Sequence, residues 1–240
     1  MRAAAVLAAA FLAVAAQPAM ADPAPFSRAR PGAPLPAGWR PLTLPRVAAP
    51  EVALVDDAGV TVLRSRAAAA AGTVTHDLDA DPAARPTLAW RWKVDRVLAR
   101  ANLAEKGGDD FAARVYVFFD VPVEALPLGA RVKAVLARAV WGEKLPTAAI
   151  CYVWDNRHEP GTSAWNPYTD RVRTVVLRSA SPGAWAGESR DLAADFRAAF
   201  GSQWAGPVPR VTGIAIGNDT DQTGESATAW FGDFRLEARR

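Results

Sequence analysis

The chain has 240 residues, half of them hydrophobic, with 28 Lys and Arg against 25 Asp and Glu and a net charge of +3. Charges of both signs are interspersed without blocks, so the electrostatic footprint of a nucleic-acid or anionic-membrane binder is absent. The one cysteine, Cys151, excludes an intramolecular disulfide and any multi-cysteine metal cluster.

Residues 1–21, MRAAAVLAAAFLAVAAQPAMA, read as a cleavable signal peptide: Arg2 is the positive n-region, residues 3–16 are the apolar core, and Ala19-Met20-Ala21 is the small-x-small cleavage site. No later stretch reaches the roughly 18 apolar residues of a membrane helix. A periplasmic or secreted protein without a transmembrane segment is expected, with a net charge of +2 once Arg2 is removed. Residues 22–50 form a Pro- and Ala-rich leader expected to pack only around Trp39 and Leu42 to Leu44, and residues 51–240 form one domain.

EVALVDDAGVTVLRSRA (51–67) predicts a hairpin turning at Asp57-Ala58-Gly59. The alanines of 67–71 fit helix or strand equally. TLAWRWKVD (87–95) alternates, with Leu88, Trp90, Trp92 and Val94 on one face and Ala89, Arg91 and Lys93 on the other. FAARVYVFFD (111–120) is apolar on both faces, Arg114 excepted, and predicts a central strand covered twice. Residues 130–140 have helical spacing, with Val132, Val135, Leu136 and Val140 on one side. AAICYVWDN (148–156) resumes strand character, RHEPGTSAWNPYTD (157–170) reads as a polar aromatic loop, and RVRTVVLRS (171–179) as a strand. SRDLAADFRAAFG (189–201) is the clearest helix, striped by Leu192, Phe196 and Phe200 and capped by Gly201. RVTGIAIGND (210–219) and SATAWFGDFRLEAR (226–239) close the domain as two strands. Many short strands with one or two inserted helices predict a mainly β fold, an antiparallel two-sheet β-sandwich of the jelly-roll kind.

Three constellations could carry chemistry. GNDTDQTGE (217–225) presents oxygens from Asp219, Asp221 and Thr223 at alternate positions before a Gly bend, as the first half of a calcium loop does, and Glu225 stands as a fourth candidate ligand. The bland alternative is a hairpin turn capped by its own Asp and Thr side chains. Arg91, Lys93, Arg114, Tyr116, Tyr152 and Trp154 form a sugar-binding platform if their strands are neighbours and their rings face outward; alternation leaves the face undecided. The loop with His158, Trp165, Asn166 and Tyr168 is the expected exposed aromatic cluster. Asp109 and Asp110 precede the strand that carries Arg114, which suits a structural ion pair better than an acid–base pair. DLDADP (77–82) reads as a surface loop, and Cys151, in its apolar run, as an inert buried thiol.

The runs GDDFAARVYVFFD, ICYVWDN, WNPYTDRVRTVVLRS, ESRDLAADFRAAFG and GIAIGNDTDQTGESATAWFGDF resemble a bacterial exported-protein family known as domain of unknown function 3047. The resemblance spans roughly residues 39–236 and brings no catalytic residues with it. The final stretch is similar to the closing strands of galactose-binding-like jelly rolls, in which a D-x-D turn precedes an aromatic-rich last strand. That similarity implies binding by analogy only.

The expected function is therefore a non-catalytic periplasmic binding module for a glycan or another polar ligand, using Arg91, Arg114, Tyr116, Tyr152, Trp154, Trp165 and Tyr168. It needs no cofactor beyond a candidate structural calcium. The alternatives are a glycoside hydrolase or lyase working through Asp109, Asp110, Asp219 or Asp221, and a scaffold subunit of an envelope complex.

Overall fold

A computed structural model describes residues 22–126, 129, 131 and 147–238. The residues expected to form a signal peptide, and almost all of those of the helix expected over 130–140, lie outside the described residues. Thirteen strands are described. Five precede the central region: β1 (Trp39–Thr43), β2 (Glu51–Asp57), β3 (Val60–Ala68), β4 (Ala71–Ala80) and β5 (Thr87–Val94). Next come β6 (Phe111–Phe119), β7 (Ala148–Asp155), β8 (Ser163–Asn166), β9 (Thr169–Ser179) and β10 (Ala186–Asp191). The helix α1 (Leu192–Phe200) is followed by β11 (Val211–Asp219), β12 (Ser226–Phe231) and β13 (Arg235–Glu237).

Two sheets result. A seven-stranded sheet runs β1-β4-β11-β6-β7-β9-β8, and a second sheet runs β10-β5-β12-β3-β2 with β13 beside β5. This is the mainly β, two-sheet sandwich that the sequence predicts. One pairing departs from the antiparallel expectation: β7 and β9 run parallel, and β8 returns antiparallel to β9 at the edge.

Local chemistry explains the elements. Ala58 and Gly59 take positive φ values of 56° and 83°, the turn whose twist suits a two-residue hairpin, and the β2–β3 register closes on Asp57 opposite Val60. β5 buries Leu88, Trp90, Trp92 and Val94 as its alternation predicts. Asp191 caps α1 by accepting the Ala194 N–H at 2.9 Å, and Leu192, Phe196 and Phe200 pack inward. Gly201 ends that helix in a right-handed conformation, so its role is to close the last turn with an N–H bond to the Arg197 carbonyl.

Four local expectations need correction. The leader contributes β1, an edge strand, the place in a sheet that tolerates a residue such as Pro41, and it buries Phe26 4.8 Å from the Trp39 ring. DLDADP is no loop at its start: Asp77 and Asp79 lie in β4 and pair with Arg40 and Arg210. The 157–170 loop contains β8. The helix expected to open at 189 begins at Leu192, because residues 186–191 pair with β5 as β10.

The core lies between the sheets. Trp90 stacks on Phe234 at 5.9 Å and 11°, and Trp92 meets Trp154 at 5.7 Å. Several buried polar groups there are satisfied, whereas the Trp90 indole N–H finds no partner among the described residues. The Tyr152 hydroxyl donates to Asp195 Oδ2 at 2.6 Å, the Trp154 indole N–H to the Ala180 carbonyl, and Ser65 Oγ to Asn218 Oδ1 across the two sheets.

Candidate functional site

The face of the seven-stranded sheet turned away from the core carries the candidate site. Residues directly opposite each other on paired strands share a face, so the registers place Thr75, Ala215, Tyr116 and Cys151 in one row across β4, β11, β6 and β7. The next row holds Leu42, Thr73, Gly217, Arg114 and Val153. β11 presents Gly213, Ala215 and Gly217 to this face, and their small size cuts a furrow down the middle of the sheet. Gly217 cannot be enlarged, because a Cβ there would lie 2.4 Å from the Gly72 carbonyl oxygen.

One wall of the furrow is the half-buried pair Tyr116 and Phe118, stacked at 6.1 Å and 19°. The other is formed by Leu42 and Leu44, which are 52% and 50% exposed although large and apolar. The enclosed space is about 230 Å³.

At one end of the furrow the pairing of β11 with β6 slips. Gly217 faces Arg114 but Asp219 faces Phe111, so β6 fits an extra residue and Asp219 is aimed at the entry to β6. Bulges of this kind re-aim side chains. Arg114, almost wholly buried, sets its Nε 2.6 Å from Asp219 Oδ1, donates from Nη1 to the Tyr116 hydroxyl at 2.8 Å, and donates from Nη2 to the Asp109 carbonyl. Asp109 Oδ2 accepts from Asn166 at 2.7 Å. Asp110 is fully buried; its Oδ2 accepts the Thr223 N–H at 2.6 Å while its Oδ1 has no hydrogen-bond partner. Asp221 Oδ1 is also buried without a partner. One oxygen from each of Asp110, Asp219 and Asp221 lies within 4.8 Å of the others, a triad that could hold a metal ion.

The electrostatics follow from burial and crowding. Burial pushes the Asp219 carboxyl up to about 7; Arg114 opposes this, and Asp110 and Asp109 add to it. Burial likewise raises Asp109 and Asp221, with Asp110 adding to both. Arg114 is held protonated by these carboxylates, Asp219 foremost, against the cost of its own burial. Burial pushes the neighbouring Cys151 thiol up to about 12, in keeping with an inert residue.

The sequence-derived candidates divide. Arg114 and Tyr116 meet at the furrow. Tyr152 and Trp154 do not join them: they are 0% and 3% exposed and point into the core, while Cys151 and Val153 take the outer face of β7. Arg91 sits on the opposite sheet, its guanidinium 4.4 Å from the centre of the Trp185 ring. Trp165 packs on Phe200 at 5.5 Å and is no exposed platform, whereas Tyr168 is 57% exposed. His158 is turned back on Asp155, its Nδ1 2.7 Å from Oδ2.

Of the four candidate calcium ligands, Asp219 and Asp221 converge with Asp110. Thr223 contributes its backbone N–H to Asp110, and Glu225 faces elsewhere, capping the N–H groups of Ala99 and Arg100 at 3.0 and 2.9 Å. Sequence reasoning missed Leu42, Leu44 and Phe118 as walls; it named Asp110 among the candidate hydrolytic carboxylates but not among the calcium ligands. The signal for the furrow was present in the alternation of Gly213, Ala215, Gly217 and Asp219.

No helix among the described residues is long and apolar enough to cross a membrane. No curated protein matches the chain in sequence. Among solved structures, the xyloglucanase domain of NopAA, a type three effector from Sinorhizobium fredii, aligns at 8% identity over 84% of this chain and 93% of that one, with a TM-score of 0.47. Endoglucanase 3 from Trichoderma harzianum, of family GH12, aligns at 5% identity over 86% of this chain and all of that one, with a TM-score of 0.42. The family 30 carbohydrate-binding module of a cellulosomal cellulase of Clostridium thermocellum aligns at 13% identity over 92% and 96%, with a TM-score of 0.34. Residues 37–235 match the family described as protein of unknown function DUF3047, and with most of its length inside that match the chain belongs to the DUF3047 family.

Proposed function

We propose that the chain is an exported, non-catalytic binding module that takes a glycan in the furrow of the seven-stranded sheet. The observation that carries this reading is the furrow itself, with half-buried Tyr116 and Phe118 facing exposed Leu42 and Leu44 over a floor of small residues. A sugar ring offers apolar C–H faces and a polar rim. Rings and leucines contact the first, while Thr73 beside the furrow and Arg114 at its end serve the second. Its volume of about 230 Å³ is below the roughly 300–1,000 Å³ of small-molecule pockets, which suits a short stretch of a longer chain running out of the open furrow. The signal-peptide reading of residues 1–21 supports a periplasmic setting, where envelope polysaccharides are the available glycans.

The convergence of Asp109, Asp110, Asp219 and Asp221 supports a second reading, carboxylate-dependent hydrolysis. It is the weaker one, because Asp110 is sealed from the furrow and one oxygen of Asp109 is held by Asn166. Affinity electrophoresis of the mature protein in gels containing peptidoglycan fragments, β-glucans or xyloglucan separates the readings. Retardation by one polysaccharide, reduced at least tenfold in Tyr116→Ala/Phe118→Ala and without release of reducing ends, is expected. No retardation by any polysaccharide would defeat the module; reducing ends lost in Asp219→Asn would establish the hydrolase.

A further inference from the structure

We propose that Asp110, Asp219 and Asp221 bind a calcium ion at the closed end of the furrow, a site independent of any glycan bound beside it. The donor set is all carboxylate oxygen, with no histidine or cysteine, which selects a hard cation over zinc or copper. The three carboxylate oxygens lie within 4.8 Å of one another, close enough to share one ion. Calcium accepts irregular sets of carboxylates completed by water, whereas magnesium demands a near-ideal octahedron, so a cluster drawn from three separate segments suits calcium.

The second observation is independent of the clustering. Asp110 is 0% exposed, and its Oδ1 has no donor, although its Oδ2 is satisfied by Thr223. A buried, unpaired carboxylate oxygen is costly, and a cation is the partner that removes that cost. Asp221 Oδ1 repeats the situation. Charge agrees: among the described residues, Asp109, Asp110, Asp219 and Asp221 surround the one guanidinium of Arg114, and an anionic excess remains.

The ligands come from the entry to β6, the end of β11 and the turn before β12, so the ion would tie together segments far apart in sequence. The turn is shaped for this by Gly224, whose φ of 67° lets the chain reverse before Glu225.

The test uses the mature protein stripped with EGTA. Calcium at about 100 times its Kd raises the melting midpoint by roughly 5–10 °C, and terbium bound in its place luminesces on excitation of Tyr and Trp. Asp110→Asn and Asp221→Asn abolish both signals, whereas Glu225→Gln keeps the calcium-induced shift even if its baseline midpoint falls. Should Asp110→Asn not fold, the half-buried Asp221→Asn decides. An unchanged wild-type midpoint without terbium luminescence overturns the site, as does a full shift retained by Asp221→Asn. An equal shift with magnesium overturns the assignment to calcium.

Discussion

The two sheets each turn a face of aromatic and charged residues away from the core, and the two faces solve their electrostatics differently. On the six-stranded sheet, Lys93 pairs with Asp57 at 2.8 Å, the Trp185 indole donates to the same carboxylate at 2.6 Å, and Lys93 lies 4.7 Å from the centre of the Trp230 ring. Lys93 and Arg91 have each found a partner on that surface, Arg91 over the Trp185 ring. On the seven-stranded sheet the rings stand beside a furrow and the carboxylates outnumber the cations. Aromatic rings with Arg on a sheet thus do not by themselves make a binding platform.

The largest effect that tests this contrast is Arg114→Ala. Removing the guanidinium leaves Asp219 and Asp109 facing each other in a nearly closed space, and a loss of about 3–5 kcal/mol is expected in urea unfolding. A loss below about 1 kcal/mol would mean that the acidic end is open to water.

On the opposite sheet, Lys93→Ala removes a partly exposed pair. Asp57 keeps the Trp185 indole donor and a quarter of its side chain in water, so about 1 kcal/mol or less is expected, and high salt should shrink it further. Lys93 holds the Asp57 carboxyl below its usual range, chiefly through their hydrogen bond, against the opposing effect of burial. If Lys93→Ala costs as much as Arg114→Ala, the distinction between the faces collapses.

The smallest effect is an expected non-reaction. Cys151 shares a row with Tyr116, and its thiol, pushed up to about 12, stays protonated at pH 8. Iodoacetamide should therefore leave the native protein unmodified and label it only in denaturant, by mass spectrometry. Labelling of the folded chain would place the edge of the furrow one strand further, at β7.

Legibility of these features in the sequence depended on how many faces each strand buries. β5 has one face in the core and one near solvent, so its alternation set Trp90 and Trp92 on one face and Arg91 and Lys93 on the other, as the structure has them. β7 is buried on both faces, every residue of it, and AAICYVWD holds no contrast that could say whether Tyr152 or Cys151 faces the other sheet. The acidic end was half legible. Asp219 and Asp221 are neighbours in sequence, but Asp110 reaches them only through the β6–β11 pairing and its slip at Gly217. β1 was hidden by Pro41, which an edge strand can carry and a central one cannot.

The place of β11 has a consequence for how the chain can assemble. It is the eleventh of the thirteen described strands and forms no local hairpin with either neighbour: it joins β4 to β6 at the middle of the seven-stranded sheet, although both precede it by a long stretch of chain. Until residues 211–219 have been made, β4 and β6 each present an unpaired edge, and the sheet exists as two separate halves. Assembly of that sheet is therefore a late, non-local event, slow by the measure of contact order, and the exposed edges before it are the places where a chaperone would need to hold the chain. The same strand that supplies the floor of the furrow is thus the keystone that closes the sheet.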